Sequence, residues 1–139
     1  MSYRTQHALI EDACEILQLQ KLAYQSEAEL YGDFSIPPLT QSLNELTAQF
    51  DDHIILKVVE DGTIIGTVRA YQKGDTCYIG RLAVHPDRQN RGIGTVLMTA
   101  IERYFNVRRY ELFTGARSAR NIHLYEKLGY RMTDRSNSC

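Results

Sequence analysis

The sequence predicts an α/β fold in which a mixed, mostly antiparallel sheet carries helices on both faces. Three observations predict it. A β-branched stretch in the middle of the chain is cut by two tight glycine turns, the mark of an antiparallel meander. Apolar residues recur at three- and four-residue spacing on either side of that stretch, as amphipathic helices require. The clearest of these helices is followed by one more β-rich run, and a strand–helix–strand crossover makes its two strands parallel neighbours.

A short strand is expected near Tyr3-Arg4-Thr5. From about Asp12 to Leu30, Ala13, Ile16, Leu19, Leu22 and Ala23 form a helical stripe that Gly32 can end. Ile36-Pro37-Pro38 then forbids helix locally. Thr40 is the expected N-cap of a second helix with the stripe Leu43, Leu46, Thr47 and Phe50, and Leu39 stands in the staple position.

The period then changes. His53 to Glu60 reads as a strand, Asp61-Gly62 as its turn, and Thr63 to Tyr71 as the returning strand. Lys73-Gly74-Asp75 turns again into Thr76 to Val84, which His85-Pro86 ends. Ile93, Val96, Leu97, Ala100, Ile101 and Tyr104 step by three or four throughout, which is a helix. Arg109 to Thr114 is the crossover's second strand. Ser118 can cap a last helix over Ile122, Leu124, Tyr125 and Leu128, closed by Gly129, and Tyr130-Arg131-Met132 begins another strand.

Composition bounds the function. A chain of 139 residues with 43% hydrophobic content can bury one core without a staple, so residues 1–139 read as a single domain. Sixteen basic residues against seventeen acidic ones give a net charge of -1, which argues against a nucleic-acid or polybasic membrane binder. No apolar run is long enough to span a bilayer, and the first residues lack a signal peptide's apolar stretch, so a cytoplasmic protein is expected. Cys14, Cys77 and Cys139 have no C-x-x-C spacing and suit a reducing compartment. The four histidines are scattered, and no metal site is expected.

The segment with chemistry in it is Gln89-Asn90-Arg91-Gly92-Ile93-Gly94, between a strand and a helix start. A helix start leaves its first N–H groups unpaired and carries partial positive charge, so it attracts anions. Gly92 and Gly94 remove the Cβ atoms that would hold a phosphate off the backbone, and Gln89 and Arg91 add donors at the rim. Neither a P-loop nor a third glycine at dinucleotide-fold spacing is present. Further on, Asn121 and Tyr125 stand at i and i+4, on one helix face.

Gln-x-x-Gly-x-Gly after a strand ending Leu82-Ala83-Val84, followed by Asn-x-x-x-Tyr-x-x-x-Gly-Tyr, resembles the GNAT acetyltransferase superfamily from the first strand through Tyr130. The resemblance implies that acetyl-CoA is the co-substrate and that its pantetheine pairs with Leu82, Ala83 and Val84 as an added strand. It puts the pyrophosphate on the amides of Gln89, Asn90, Arg91, Gly92, Ile93, Gly94 and Thr95. A backbone N–H near Leu82 would polarise the thioester carbonyl, Asn121 would bond the cofactor arm, and Tyr125 would protonate the departing thiolate. By residue type alone, Asn121 also suits a helix cap and Tyr125 a core edge.

The chain departs from that pattern twice. Some members carry a glutamate base eleven residues before the motif glutamine, and here that residue is Tyr78, a poor base. A water chain, or a carboxylate from Glu27 or Glu29, could take its place, although a solvated helix face also explains both glutamates. After Tyr130 the residues are too few and too polar for the usual final strand, so the sheet is expected to be truncated there or completed by a second chain in a homodimer. The expected function is direct transfer of acetyl to a primary amine, small-molecule or peptide, in a ternary complex. Tyr24, Glu27, Tyr31, Phe34 and Tyr78 are the expected acceptor-side residues. The alternative is an acyl-CoA-binding sensor or interaction module without catalysis.

Overall fold

The computed structural model describes residues 3–113 and 126–129, with the side chains at 26, 27, 31 and 113 outside that description. Its strands are β1 (Thr5–His7), β2 (Ile54–Glu60), β3 (Thr63–Lys73), β4 (Thr76–Val84) and β5 (Arg109–Phe113). They lie side by side in chain order. β1 to β4 pair antiparallel, and β5 joins β4 in parallel, from Thr76 with Arg109 to Gly80 with Phe113. The helices are α1 (Ala13–Tyr31), α2 (Pro37–Thr40), α3 (Leu43–Gln49) and α4 (Ile93–Glu102).

Strand alternation sends neighbouring side chains to opposite faces, and each face has its own core. Leu56, Val58, Ile65, Val68, Ala70, Cys77, Ile79 and Leu82 meet Ile93, Leu97, Met98 and Ile101 of α4. Ile55, Ile64 and Ala83 meet Ala13, Ile16, Leu19 and Tyr24 of α1 and Leu46 of α3 on the other side. Fully buried positions such as Leu97 and Ile16 are each worth about 2–5 kcal/mol against alanine. The mixed sheet with helices on both faces is therefore as expected.

Local chemistry sets the connections. Asp61 and Gly62 both take positive φ, 53° and 79°, between the paired ends Glu60 and Thr63, as a two-residue hairpin demands. Gly32 ends α1 at φ 68° and donates its N–H to the Ala28 carbonyl.

Several expectations shift. The first strand is Thr5–His7, because its register with β2 begins at Thr5 opposite Val58. Pro37 and Pro38 open α2 instead of forbidding it, since proline's fixed φ suits the first helical turn. Ser42, not Thr40, caps the next helix: its hydroxyl accepts from Glu45 N at 3.1 Å while Glu45 Oε1 accepts from Ser42 N at 2.8 Å. Leu43 and Tyr104 are exposed, and Leu22 is 47% exposed while Gln20 of the same helix is buried. The expected last helix is described only at its end, where Gly129 takes φ 99° and bonds Glu126 O at 3.0 Å. The expectations for residues 130–139, including the truncated final strand, lie outside the described residues.

Candidate active site

β4 carries a bulge at its C-terminal half. Thr67 pairs with Ala83 but Arg69 pairs with Gly80, so β4 holds one residue more than β3 over that interval. Arg81 absorbs the extra residue at φ 55°. The bulge resets the alternation, so Leu82 shares a core with Cys77 and Ile79 while Ala83 faces α1. It falls one residue beyond Gly80, where the described pairing with β5 ends.

The strand then runs through a turn of 3-10 helix (Pro86–Arg88) into the glycine-containing loop and α4. Asn90 takes φ 66° and Gly92, the residue before α4, φ 84°. No side chain caps α4, so among the described residues its first amides are held by no capping group. A Cβ built on Gly92 would meet nothing within 4 Å. An uncapped helix start beside an open, side-chain-free position is what a pyrophosphate requires, so these residues fit that group. Gln89, Asn90, Arg91, Gly92, Ile93, Gly94 and Thr95 are thus contiguous at one end of the bulged strand. Ile93 is buried under the sheet and Arg91 is exposed.

On the α1 face, Tyr24 reaches the same strand: its hydroxyl donates to Leu82 O at 3.0 Å. One helical turn earlier, Gln20 Oε1 accepts from Arg69 Nη1 at 2.9 Å, and Gln41 Oε1 accepts from Arg69 Nη2 at 2.7 Å. Gln20 Nε2 in turn donates to Pro38 O at 2.8 Å. Arg69 is only 3% exposed. Burial first, then the charge of Arg81, push its guanidinium down to about 9, with Tyr24 opposing them. Tyr78 stacks on its cross-strand partner Tyr71, with ring centroids 5.2 Å apart, and His53 lies 4.9 Å from Tyr71 on a tilted plane. His53 Nδ1 is 2.6 Å from Asp52 Oδ1. Burial, then Tyr78 and Asp52, push the Tyr71 phenol up.

The structure therefore joins Tyr24 to Leu82 and puts Tyr78 in an aromatic stack. Phe34 is exposed in the loop after α1, and Glu29 is exposed on α1. The side chains of Glu27 and Tyr31, and all of Asn121 and Tyr125, lie outside the described residues. The bulge, the Arg69 cluster and the Tyr71–His53 contact are not evident in the sequence. Gln20, a glutamine inside the apolar spacing of α1, is the available signal for the Arg69 cluster. Cys77 is buried, and burial followed by Glu102 pushes its thiol up to about 11, so it is no nucleophile at neutral pH. Among the described residues no cluster of three His, Cys, Asp or Glu could hold a metal ion. Among them, too, no helix is long and apolar enough to cross a membrane.

The model of the acetyltransferase (GNAT) family matches residues 13–130. In sequence the chain is 28% identical over 130 residues to the UPF0157 protein YqkA of Bacillus subtilis (strain 168). That alignment covers 93% of this chain and 37% of YqkA, so the chain spans little more than a third of that relative's length. In structure it is similar to the PaiA N-acetyltransferase of Thermoplasma acidophilum in complex with coenzyme A, with a TM-score of 0.82, 19% identity, and 96% and 92% of the two chains covered. It is also similar to a mutant of the BH1408 protein from Bacillus halodurans, with a TM-score of 0.78, 23% identity and 94% of each chain covered. An aminoglycoside acetyltransferase, HMB0005, from an uncultured soil metagenomic sample gives a TM-score of 0.68 at 22% identity, over 96% and 94% of the chains. At these identities the structural likeness is one of fold.

Proposed function

Because the chain belongs to the acetyltransferase (GNAT) family, we propose that it transfers the acetyl group of acetyl-CoA to a primary amine by direct attack in a ternary complex. The observation that carries this reading is the uncapped start of α4, led by Gly92 and fed by the bulged strand β4. The family match and the coenzyme A bound to the Thermoplasma acidophilum neighbour agree with it.

Acetyl-CoA supplies an activated thioester. On this reading the amides from Gln89 through Thr95 hold its pyrophosphate, and Leu82, Ala83 and Val84 align its pantetheine arm. The Leu82 N–H polarises the thioester carbonyl. The amine nitrogen attacks that carbon, the C–S bond breaks, and Tyr125 gives the leaving sulfur its proton. Asn121 holds the cofactor arm. The amine's own proton leaves through water or a nearby carboxylate, because position 78 holds a phenol stacked on Tyr71 and not a carboxylate. An inert Cys77 suits direct transfer better than a covalent route. Tyr24, Glu27, Tyr31 and Tyr78 are assigned to the acceptor side, and a reducing cytoplasm is the proposed compartment.

The test is release of free CoA from acetyl-CoA across an amine panel, for wild type and Tyr125→Phe. Turnover with at least one amine, cut at least tenfold by Tyr125→Phe, is the expected result. Turnover untouched by that substitution sinks Tyr125 as the acid. The stacked tyrosine in place of a carboxylate at position 78 favours a second reading, a sensor of acyl-CoA. Tight acetyl-CoA binding with no turnover for any amine would establish it.

A further inference from the structure

The 3-10 turn Pro86–Arg88 stands between β4 and the Gln89–Gly92 loop, and it is tied to the β2–β3 hairpin. Arg88 Nε donates to Glu60 Oε1 at 2.6 Å, the two side chains being 34% and 21% exposed. Glu60 is the last residue of β2, immediately before the Asp61-Gly62 turn. One backbone bond reinforces the tie, His85 N donating to Ile65 O of β3 at 2.8 Å, and another closes the turn itself, Arg88 N donating to His85 O at 2.8 Å. His85 Nδ1 also accepts from Asp87 N at 3.1 Å. The bond to Glu60, and then its charge, push the Arg88 guanidinium further up from its ordinary value.

The loop that follows needs such an anchor. Asn90 and Gly92 both sit in the left-handed region, and for asparagine that conformation costs free energy that surrounding structure must supply. One end of the loop is fixed by α4 packing on the sheet. The other end has the Glu60–Arg88 pair.

We propose that Glu60 is a positioning residue for the phosphate-binding loop, holding Arg88 as a strut so that this arginine orders the loop backbone and does not itself contact the phosphates. The inference rests on reading Gln89–Thr95 as the acetyl-CoA cradle. The cradle's positive partners are then the α4 start and the exposed Arg91. If Arg88 were instead a phosphate ligand, Glu60 would compete with the phosphates, and removing it would strengthen binding. The two roles thus give effects of opposite sign at Glu60.

The experiment compares Glu60→Gln, Arg88→Gln, both together, and the exchanged pair Glu60→Arg with Arg88→Glu. Amide hydrogen exchange at residues 87–92 is measured first, without ligand. Each single substitution should raise exchange there about threefold to fivefold, and the double should go no further. The exchanged pair should restore protection, and amides in the middle of β3 should not change. Coenzyme A binding is measured second by calorimetry: both singles should weaken it by a similar factor, with the effect on acetyl-CoA KM larger than on kcat. Arg88→Gln weakening coenzyme A binding while Glu60→Gln leaves it alone or strengthens it overturns the proposal. So does unchanged loop exchange in both singles. Wild-type protein that binds no coenzyme A defeats the acetyltransferase reading instead, and the exchange data then decide the strut alone.

Discussion

The hydroxyl of Tyr24 donates to the carbonyl of Leu82 at 3.0 Å, so a helix on one face of the sheet fixes the bulged stretch of a strand whose neighbouring side chain, Leu82, packs into the core on the other face. A bulge leaves backbone groups out of the ladder, and a buried carbonyl without a donor is costly. Tyr24→Phe keeps the ring and removes the hydroxyl that donates to Leu82 O. It should cost about 1–3 kcal/mol of stability, read by denaturant unfolding. Because Leu82 is also the proposed carbonyl-polarising residue, kcat should fall by about tenfold, with little change in acetyl-CoA KM. A kcat equal to wild type would detach this contact from catalysis.

Gly66 decides how closely α4 approaches the sheet. A Cβ there would lie 2.8 Å from Ile93 Cγ2 and 3.0 Å from Leu97 Cδ1. Ile93 is β-branched and stiff in a helix, so the first turn of α4 must move outward to admit a methyl group. Gly66→Ala should destabilise by about 1–3 kcal/mol and raise acetyl-CoA KM severalfold, since that first turn is the proposed phosphate seat. Thermal unfolding and initial-rate kinetics check the two halves separately.

Most of the sheet and α4 can be read from the sequence, because their signals are local. Asp61-Gly62 allows positive φ, and the stripe from Ile93 to Ile101 fits one helical face. What cannot be read is set by tertiary contacts. Leu22 continues the apolar spacing of α1 but faces outward, since the helix turns Gln20 inward to meet Arg69. Arginine gives no hint of a left-handed φ, so the bulge at Arg81 is invisible until β3 and β4 are paired. Ser42 with Glu45 is a legible capping box, but Thr40 stands nearer the prolines and competes for the same role. The segment from Gln89 to Gly94 stands out because its two glycines fall where the strand period gives way to the helical one, at the start of α4.

The N-terminal end of α1 should respond to acid. Asp12 Oδ2 receives Lys57 Nζ at 2.7 Å and Leu9 N at 2.8 Å. Burial pushes the Asp12 carboxyl up, but the Lys57 bond, the Leu9 amide and the Lys57 charge outweigh it and hold the group below its ordinary range. A carboxyl depressed in the folded state binds fewer protons there than in the unfolded chain. Its stabilisation is therefore complete above the unfolded value near 4 and lost as pH falls through the folded one. Asp12→Asn should cost up to about 1 kcal/mol at pH 7. Denaturant midpoints of the two proteins should converge as pH drops below about 4, and a gap that persists at about pH 2 would mean the contact acts through packing.

Two glycines separate backbone strain from phosphate access. Gly62 and Gly92 have nearly the same φ, 79° and 84°, and a Cβ on either meets nothing within 4 Å. Alanine at either position should therefore cost about 1–2 kcal/mol for the left-handed conformation alone. Gly62 lies in the β2–β3 turn, and Gly92 opens α4 where the pyrophosphate is proposed to sit. Gly62→Ala should lower the melting temperature and leave acetyl-CoA KM as in wild type. Gly92→Ala should lower the melting temperature by a similar amount and raise that KM at least tenfold, because the new methyl group projects into the ligand's space. Equal KM values for the two variants would show that Gly92 serves only the helix start, and the phosphate would have to be sought elsewhere on the molecule.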